Sequence, residues 1–321
     1  MNTELLAPKD LEKAAHFLRM GEIVAFPTET VYGLGARIFD PEAIQKIFSV
    51  KGRPSDNPLI AHISSLEQIS MIAIELSEDF IRLAEVFFPG PLTIVCKRHP
   101  SVPDIATAGL DTLGVRMPNH PLARDLISLV GEPLVAPSAN VSGRPSSTCF
   151  SHVLEDFEGK IAAVIEAEGC LCGIESTIVQ LQGDRVVVLR PGAISAEQIE
   201  QVVKKPVETY TFSRESEKKV LCPGVKYRHY SPKGELQLFT SWDALLREAI
   251  SFKNYKVMVV GPTEIKKEVD FTTFATLSRH SLYHTLRRCD SEGYEKILVY
   301  CSPEILQDLA LMNRLSKAAS L

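Results

Sequence analysis

The stretch KGRPSDNPL (51–59) holds two cations, two prolines and an amide between a helix-like segment and an apolar, strand-like one. Lys51 supplies a compact point charge and Arg53 a planar fork of five donors, a pair suited to phosphate or carboxylate. The common fate of such a pair is a solvated loop. The prolines stiffen the turn, so neither side chain is expected to cover a core, and less entropy is lost if an anion binds. Four more polar segments stand beside strand-like runs. FPTETVYGLG (26–35) offers Thr28, Glu29, Thr30 and Tyr32 ahead of two glycines, which either admit a ligand close to the backbone or simply make a turn. APSANVSGRPSST (136–148) carries five hydroxyls and Asn140 on a Pro- and Gly-stiffened loop, and hydroxyls with backbone N–H groups make good oxyanion donors. Ser138 has no GxSxG setting and no evident partner base, so it is not read as a nucleophile. GIESTIV (173–179) and LRPG (189–192) add Ser176, Thr177 and Arg190. Arg116 lies in GVRMP, inside an apolar strand, where an unpaired guanidinium is costly. It is either ion-paired within the fold or holding an anionic ligand. Five such segments point to a cleft for something anionic, and the absence of GxxxxGK[ST] excludes an ordinary P-loop.

The elements that must position these residues alternate along the chain. EIVAF (22–26) and LIAHI (59–63) read as strands, and DPEAIQKIFSVK (40–51) as a helix capped by Asp40 with Pro41 in its first turn. SEDFIRLAEVFF (77–88), HPLARDLISLV and SAEQIEQVV read as helices; TIVCK, GVRM, LVA, AAVIE, STIVQL and RVVVLR read as strands. This predicts one α/β domain around a large sheet over 1–205. Residues 206–234 are charged and punctuated by Pro and Gly, as a linker is. From 235 to 321, ELQLF, KVMVVG, FTTFATL and KILVYC alternate with helices at SWDALLREAIS, HSLYHTLRRCD and EILQDLALMNRLSKAA. That pattern predicts a smaller, Rossmann-like parallel sheet, with no GxGxxG to mark a dinucleotide site.

Composition narrows the class. The chain has 321 residues, 45% hydrophobic and 23% charged, as soluble globular proteins have. Through Pro206 it carries 18 Lys and Arg against 26 Asp and Glu, a net −8; from Val207 on, 17 against 14 give +3. Neither part has the basic balance of a dedicated nucleic-acid binder. Seven cysteines without a CxxC pair suggest reduced thiols and no zinc site. No apolar run is long enough for a membrane span, and the start lacks the apolar stretch of a secretory signal, so a cytoplasmic address is expected.

FPTETVYGLG, KGRPSDNPLIAHI, PGPLT, GVRMP, APSANVSGRPSST, GIESTIV and LRPGAIS, in this order, resemble the signatures of the YrdC-type threonylcarbamoyl-AMP synthases. PGVKYRHYSPK (223–233) and the closing MNRLSKAA resemble the linker and tail of that family's long, two-domain form. Gln180 stands where the family usually has aspartate, and 204–222 matches nothing in its pattern. The resemblance implies a twisted mixed sheet with a concave, positive cleft, a linker closing over the site, and a Rossmann-like second domain. It implies a nucleotidyltransferase that makes threonylcarbamoyl-AMP and pyrophosphate from L-threonine, bicarbonate and ATP. A downstream transferase would pass the threonylcarbamoyl group to N6 of adenosine 37 of tRNA, with Mg²⁺ arriving on ATP and no metal site in the protein. Matched residue by residue, Thr30, His62, Arg116, Ser176 and the backbone of Ala136 would bind L-threonine. Arg53, Asn57, Thr112, Ser138, Ser146, Arg190 and Tyr230 would bind the nucleotide, with Lys51 beside them. Lys51 and Arg53 would face the triphosphate as the catalytic cations. Two rival readings are an RNA-binding module without catalysis, in which RNA contact would be weak at this charge, and a carbamoyl-transfer maturation factor, whose CxxC zinc fingers are missing here.

Overall fold

The computed structural model describes residues 2–210, 229–268 and 273–319. These form two compact units: 2–142 with 147–210, and 143–146 with the residues from 229 on. The first is built on a mixed sheet in the order Glu4–Leu6, Ala163–Ile165, Val24–Phe26, Gly33–Arg37, Leu134–Val135, Ile60–His62, Thr112–Arg116, Leu92–Arg98, Thr177–Gln182, Arg185–Arg190 and Val207–Thr209, with Ala73–Ile74 added beside Leu92–Arg98. Alternate residues of its strands go to different cores. Ile23 and Ala25 pack with the helices Pro41–Lys51 and Glu78–Phe87, while Val24 and Phe26 pack with Leu11–Arg19 and Pro121–Val130. At Val24–Phe26 both faces are therefore covered, as a strand with a parallel neighbour requires.

The helices begin where the sequence places their caps. Asp40 accepts from the Ala43 amide, Ser77 from Phe80, and Ser195 forms a capping box with Gln198. The helix expected over 40–51 does end at Lys51, followed by Gly52 in the left-handed conformation, so the stiff turn starts after Lys51. Two features differ from the sequence reading. Gly33–Arg37 is a strand, not a turn: a Cβ at Gly35 would stand 2.7 Å from the Phe26 ring, so the glycines admit an aromatic neighbour across the strand pair. The stretch expected as a linker starts with the strand Val207–Thr209, parallel to Arg185–Arg190, and its residues 211–228 lie outside the described structure.

The second unit contains a four-stranded, all-parallel sheet in the order Glu235–Phe239, Lys296–Tyr300, Val257–Gly261 and Phe274–Thr276. The single helix expected at its end is two, Pro303–Gln307 and Leu309–Ala319. Asp308 breaks it, capping the Leu311 amide at 2.9 Å while both its oxygens hold Arg279. Among the described residues no helix is long and apolar enough to cross a membrane.

Candidate functional site

Strand direction and register bring the polar residues of the first unit to one face. Ile60–His62 and Thr112–Arg116 run parallel with His62 opposite Arg116. Leu92–Arg98 runs antiparallel to Thr112–Arg116, and one step beyond the Ile94–Val115 pair Thr93 stands opposite Arg116. Ile178 pairs with Thr93 on one side and with Arg190 on the other, and Ser176 precedes it by two residues, on the same face. His62, Arg116, Thr93, Ser176 and Arg190 thus form a row at one edge of that face. Thr112 shares the face at the opposite end of its strand, with Gly114 between. The Arg53–Asn57 loop precedes Ile60–His62 and so lies at that opposite end also. Of the residues expected to bind the nucleotide, Thr112 and the Arg53–Asn57 loop thus stand one short strand length, roughly 10–13 Å, from the row, whereas Arg190 lies in the row itself.

The row is tied together. Thr93 Oγ1 and Ser176 Oγ are 2.8 Å apart, and Arg190 donates to the Ser176 carbonyl from Nε and to its hydroxyl from Nη2, each at 3.1 Å. Gly192 lets the chain cross there, since a Cβ would be 2.3 Å from the Thr177 nitrogen. Arg116 is 4% exposed and reaches the segment after Val24–Phe26. Its Nη1 donates to Thr30 Oγ1 at 2.8 Å; Thr30 Oγ1 is 2.8 Å from Thr28 Oγ1, which donates to the Val31 carbonyl at 2.6 Å. Such a chain of hydroxyls is polarised by the cation at its head. Arg116 Nε donates to Gly90 at 3.3 Å.

The remaining guanidinium nitrogen, Nη2, is 2.6 Å from Glu29 Oε2. The contact is an ion pair, and beyond it Arg116 Nη2 and the Glu29 oxygens have no hydrogen-bond partner among the described residues. Of the two alternatives for Arg116, the fold shows the ion pair. His62 is buried, with Nδ1 3.2 Å from the Ile60 carbonyl and its ring set edge-on to Phe26. Burial first, then the charge of Arg116, push its pKa down to about 3, so the ring is neutral.

Arg53 folds its own loop, donating to the carbonyls of Asn57 at 3.3 Å and Pro58 at 2.9 Å. Asn57 is buried, and its Oδ1 has no partner among the described residues. Lys51 departs from expectation. Its side chain is 2% exposed, and Nζ donates to the carbonyls of Ser138, at 2.5 Å, and Asn140. It pins the Ser138 loop, because a buried ammonium must find acceptors. The Ala136 amide is committed to the Ile60 carbonyl at 3.0 Å, which leaves its own carbonyl as the group a ligand could meet. Ser146 and Tyr230 belong to the second unit. Ser146 is buried there beside Pro145, whose carbonyl accepts from Arg287 Nε at 3.1 Å and Nη2 at 2.8 Å. Tyr230, with φ +63°, packs 5.3 Å from the Tyr283 ring, with Arg314 6.0 Å from its own. Sequence reasoning passed over Thr93 and left Glu29 without a role. An acid set among hydroxyls in PTETVYG was the available signal.

The family model described as "Telomere recombination", of Sua5, YciO and YrdC proteins, matches residues 16–192, and that described as "Threonylcarbamoyl-AMP synthase, C-terminal domain" matches 194–320. The chain is 42% identical to the threonylcarbamoyl-AMP synthase of Pyrococcus abyssi, over 95% of this chain and 93% of that one. It is 39% identical to that of Bacillus subtilis, over 99% and 95%. A crystal structure of P. abyssi Sua5 complexed with L-threonine superposes with a TM-score of 0.90 at 39% identity, over 99% of this chain and 98% of that one. The chain belongs to the Sua5/YciO/YrdC family, in its two-domain threonylcarbamoyl-AMP synthase form.

Proposed function

We infer that the chain joins L-threonine, bicarbonate and ATP into threonylcarbamoyl-AMP, releasing pyrophosphate, for use by a transferase that modifies tRNA. The observation that carries this reading is the cluster formed by Arg116, His62 and Ser176 of the row with Thr30, which Arg116 reaches. It offers a buried guanidinium for a carboxylate, hydroxyls for a side-chain hydroxyl, and a neutral imidazole that adds no competing charge. Arg116 would take the threonine carboxylate, as a bidentate cation does well. Once the amine is a carbamate, its oxygen is already an anionic nucleophile for the α-phosphorus. Adenylation then depends on positioning and on neutralising the departing pyrophosphate. Arg53 and Arg190 are assigned that work, Asn57 and Thr112 are assigned to the nucleotide, and Lys51 is assigned to hold the Ser138 loop. Among the described residues no three His, Cys, Asp or Glu side chains gather as a cage. The reading has Mg²⁺ arrive on the ATP phosphates, where it would offset their charge.

The test is pyrophosphate release with ATP present. It should require threonine and collapse when bicarbonate is stripped. Arg53→Ala should slow it by about one to two decades, the worth of a charge-assisted phosphate contact of roughly 1.5–3 kcal/mol. Release that ignores threonine would overturn the reading.

A further inference from the structure

Glu29 pairs with Arg116 of the row, and the reading above leaves it without work. It is 4% exposed, its two oxygens have no hydrogen-bond partner among the described residues, and it touches the cation assigned to the substrate's carboxylate. Its Oε2 is covered by Arg116, but a buried carboxylate whose Oε1 has no partner is costly to keep unless a further donor arrives. L-Threonine brings such a group, because its ammonium sits one carbon from the carboxylate that Arg116 would hold. We propose that Glu29 receives the substrate's ammonium and takes one of its protons when the nitrogen is carboxylated, acting as a catalytic base for the first step.

The step balances. Threonine enters as the ammonium and bicarbonate supplies the carbon. One N–H proton passes to a Glu29 oxygen. A second leaves with the hydroxide expelled from bicarbonate, as water. The nitrogen lone pair forms the N–C bond, the C–OH bond breaks, and no electrons go to an external acceptor. The product is the carbamate anion beside a neutral Glu29, which returns its proton to solvent before the next cycle. The groups facing Glu29 are Arg116, His120 and Cys170. Burial holds the Cys170 thiol up at about 12 and lowers the His120 pKa from its ordinary value, so Arg116 is the constant cation of the set.

This rests on the threonine reading, and the experiment separates the two. Threonine-dependent pyrophosphate release by the full chain is measured from pH 6.5 to 9.5 at saturating bicarbonate and ATP, for the parent, Glu29→Gln, Glu29→Asp and His120→Asn. If the parent shows no threonine dependence, the functional reading falls by itself. If it does, Glu29→Gln should lose about 10²–10⁴-fold in kcat near pH 7, the usual worth of a positioned base. The deficit should shrink toward pH 9.5, where the amine sheds its own proton; α-amino groups in peptides titrate near about 8. Glu29→Asp keeps the charge and the Arg116 pair, so it should fold and retain a measurable part of the activity with the parent's pH profile. A role confined to offsetting Arg116 predicts otherwise: Glu29→Gln would bind threonine as well or better, with unchanged kcat and a pH-independent effect. That result overturns the proposal. It is also overturned if the acid limb persists in Glu29→Gln and disappears in His120→Asn.

Discussion

Arg116 and Glu29 are a buried pair, and a buried pair punishes removal of one member more than of both. Arg116→Ala should therefore raise the threonine KM and also cost stability, by about 3–5 kcal/mol, because Glu29 is left as an uncompensated charge. Replacing both, Arg116→Met with Glu29→Leu, should recover most of the midpoint in thermal unfolding but none of the threonine affinity. Calorimetric titration with threonine checks the second half, and recovery of binding would show that neither residue meets the substrate. His62 gives a prediction in pH. Its folded pKa, about 3, lies below the unfolded value near 6.5, so the unfolded chain binds the proton more readily in between. Its contribution to stability is complete above about pH 6.5 and is lost as pH falls toward 3. In His62→Gln the unfolding midpoint should fall less steeply between pH 6.5 and 4 than in the parent, and identical slopes would mean that the ring is already protonated in the fold.

At the scale of elements, the legible parts were those with a local cause. Helix starts were readable because Asp40, Ser77 and Ser195 cap them within three residues. Apolar runs such as TIVCK and RVVVLR could hardly be anything but covered strands. Partnerships across the sheet were not readable. Glu4–Leu6 is a strand because Ala163–Ile165 lies beside it, far along the chain. Gly33–Arg37 carries two glycines, which weigh against a strand until the Phe26 ring that fills their space is known. The site divides in the same way. Motifs named Thr30, His62, Arg116 and Ser176, but only register shows that Thr93 joins them. Lys51 is the sharpest case, since a lysine ending a helix beside a polar loop gives no local sign that its stem is buried. Lys51→Met keeps that stem and removes the donor to Ser138 and Asn140. It should cost about 1.5–3 kcal/mol, measured by denaturant unfolding, and lower turnover by displacing the Ser138 loop. Turnover lost with stability untouched would instead put the ammonium on the phosphates.

For the whole molecule, the division into units does not follow the order of the chain. Gly143–Ser146 belongs with residues from 229 onward: the Ser231 amide donates to the Gly143 carbonyl at 2.8 Å, and Arg287, 2% exposed, grips Pro145. Arg287→Ala removes both bonds and should raise amide hydrogen exchange at Ser146 while leaving the Ile60–His62 and Thr112–Arg116 amides as protected as before. A protection pattern identical to the parent's would show that Arg287 contributes nothing to the hold on Pro145. The same feature bears on how the protein is made. Chains emerge from the ribosome N-terminus first, at roughly 5–20 residues per second, and domains tend to fold as they appear. Four residues from the middle of this chain must wait, since Ser231 and Arg287, which hold them, are translated well after them. Until Ser231 and Arg287 have emerged, the nascent protein can settle its large sheet but not the Gly143–Ser146 turn, so completion of that turn reports that the second unit's residues are in place.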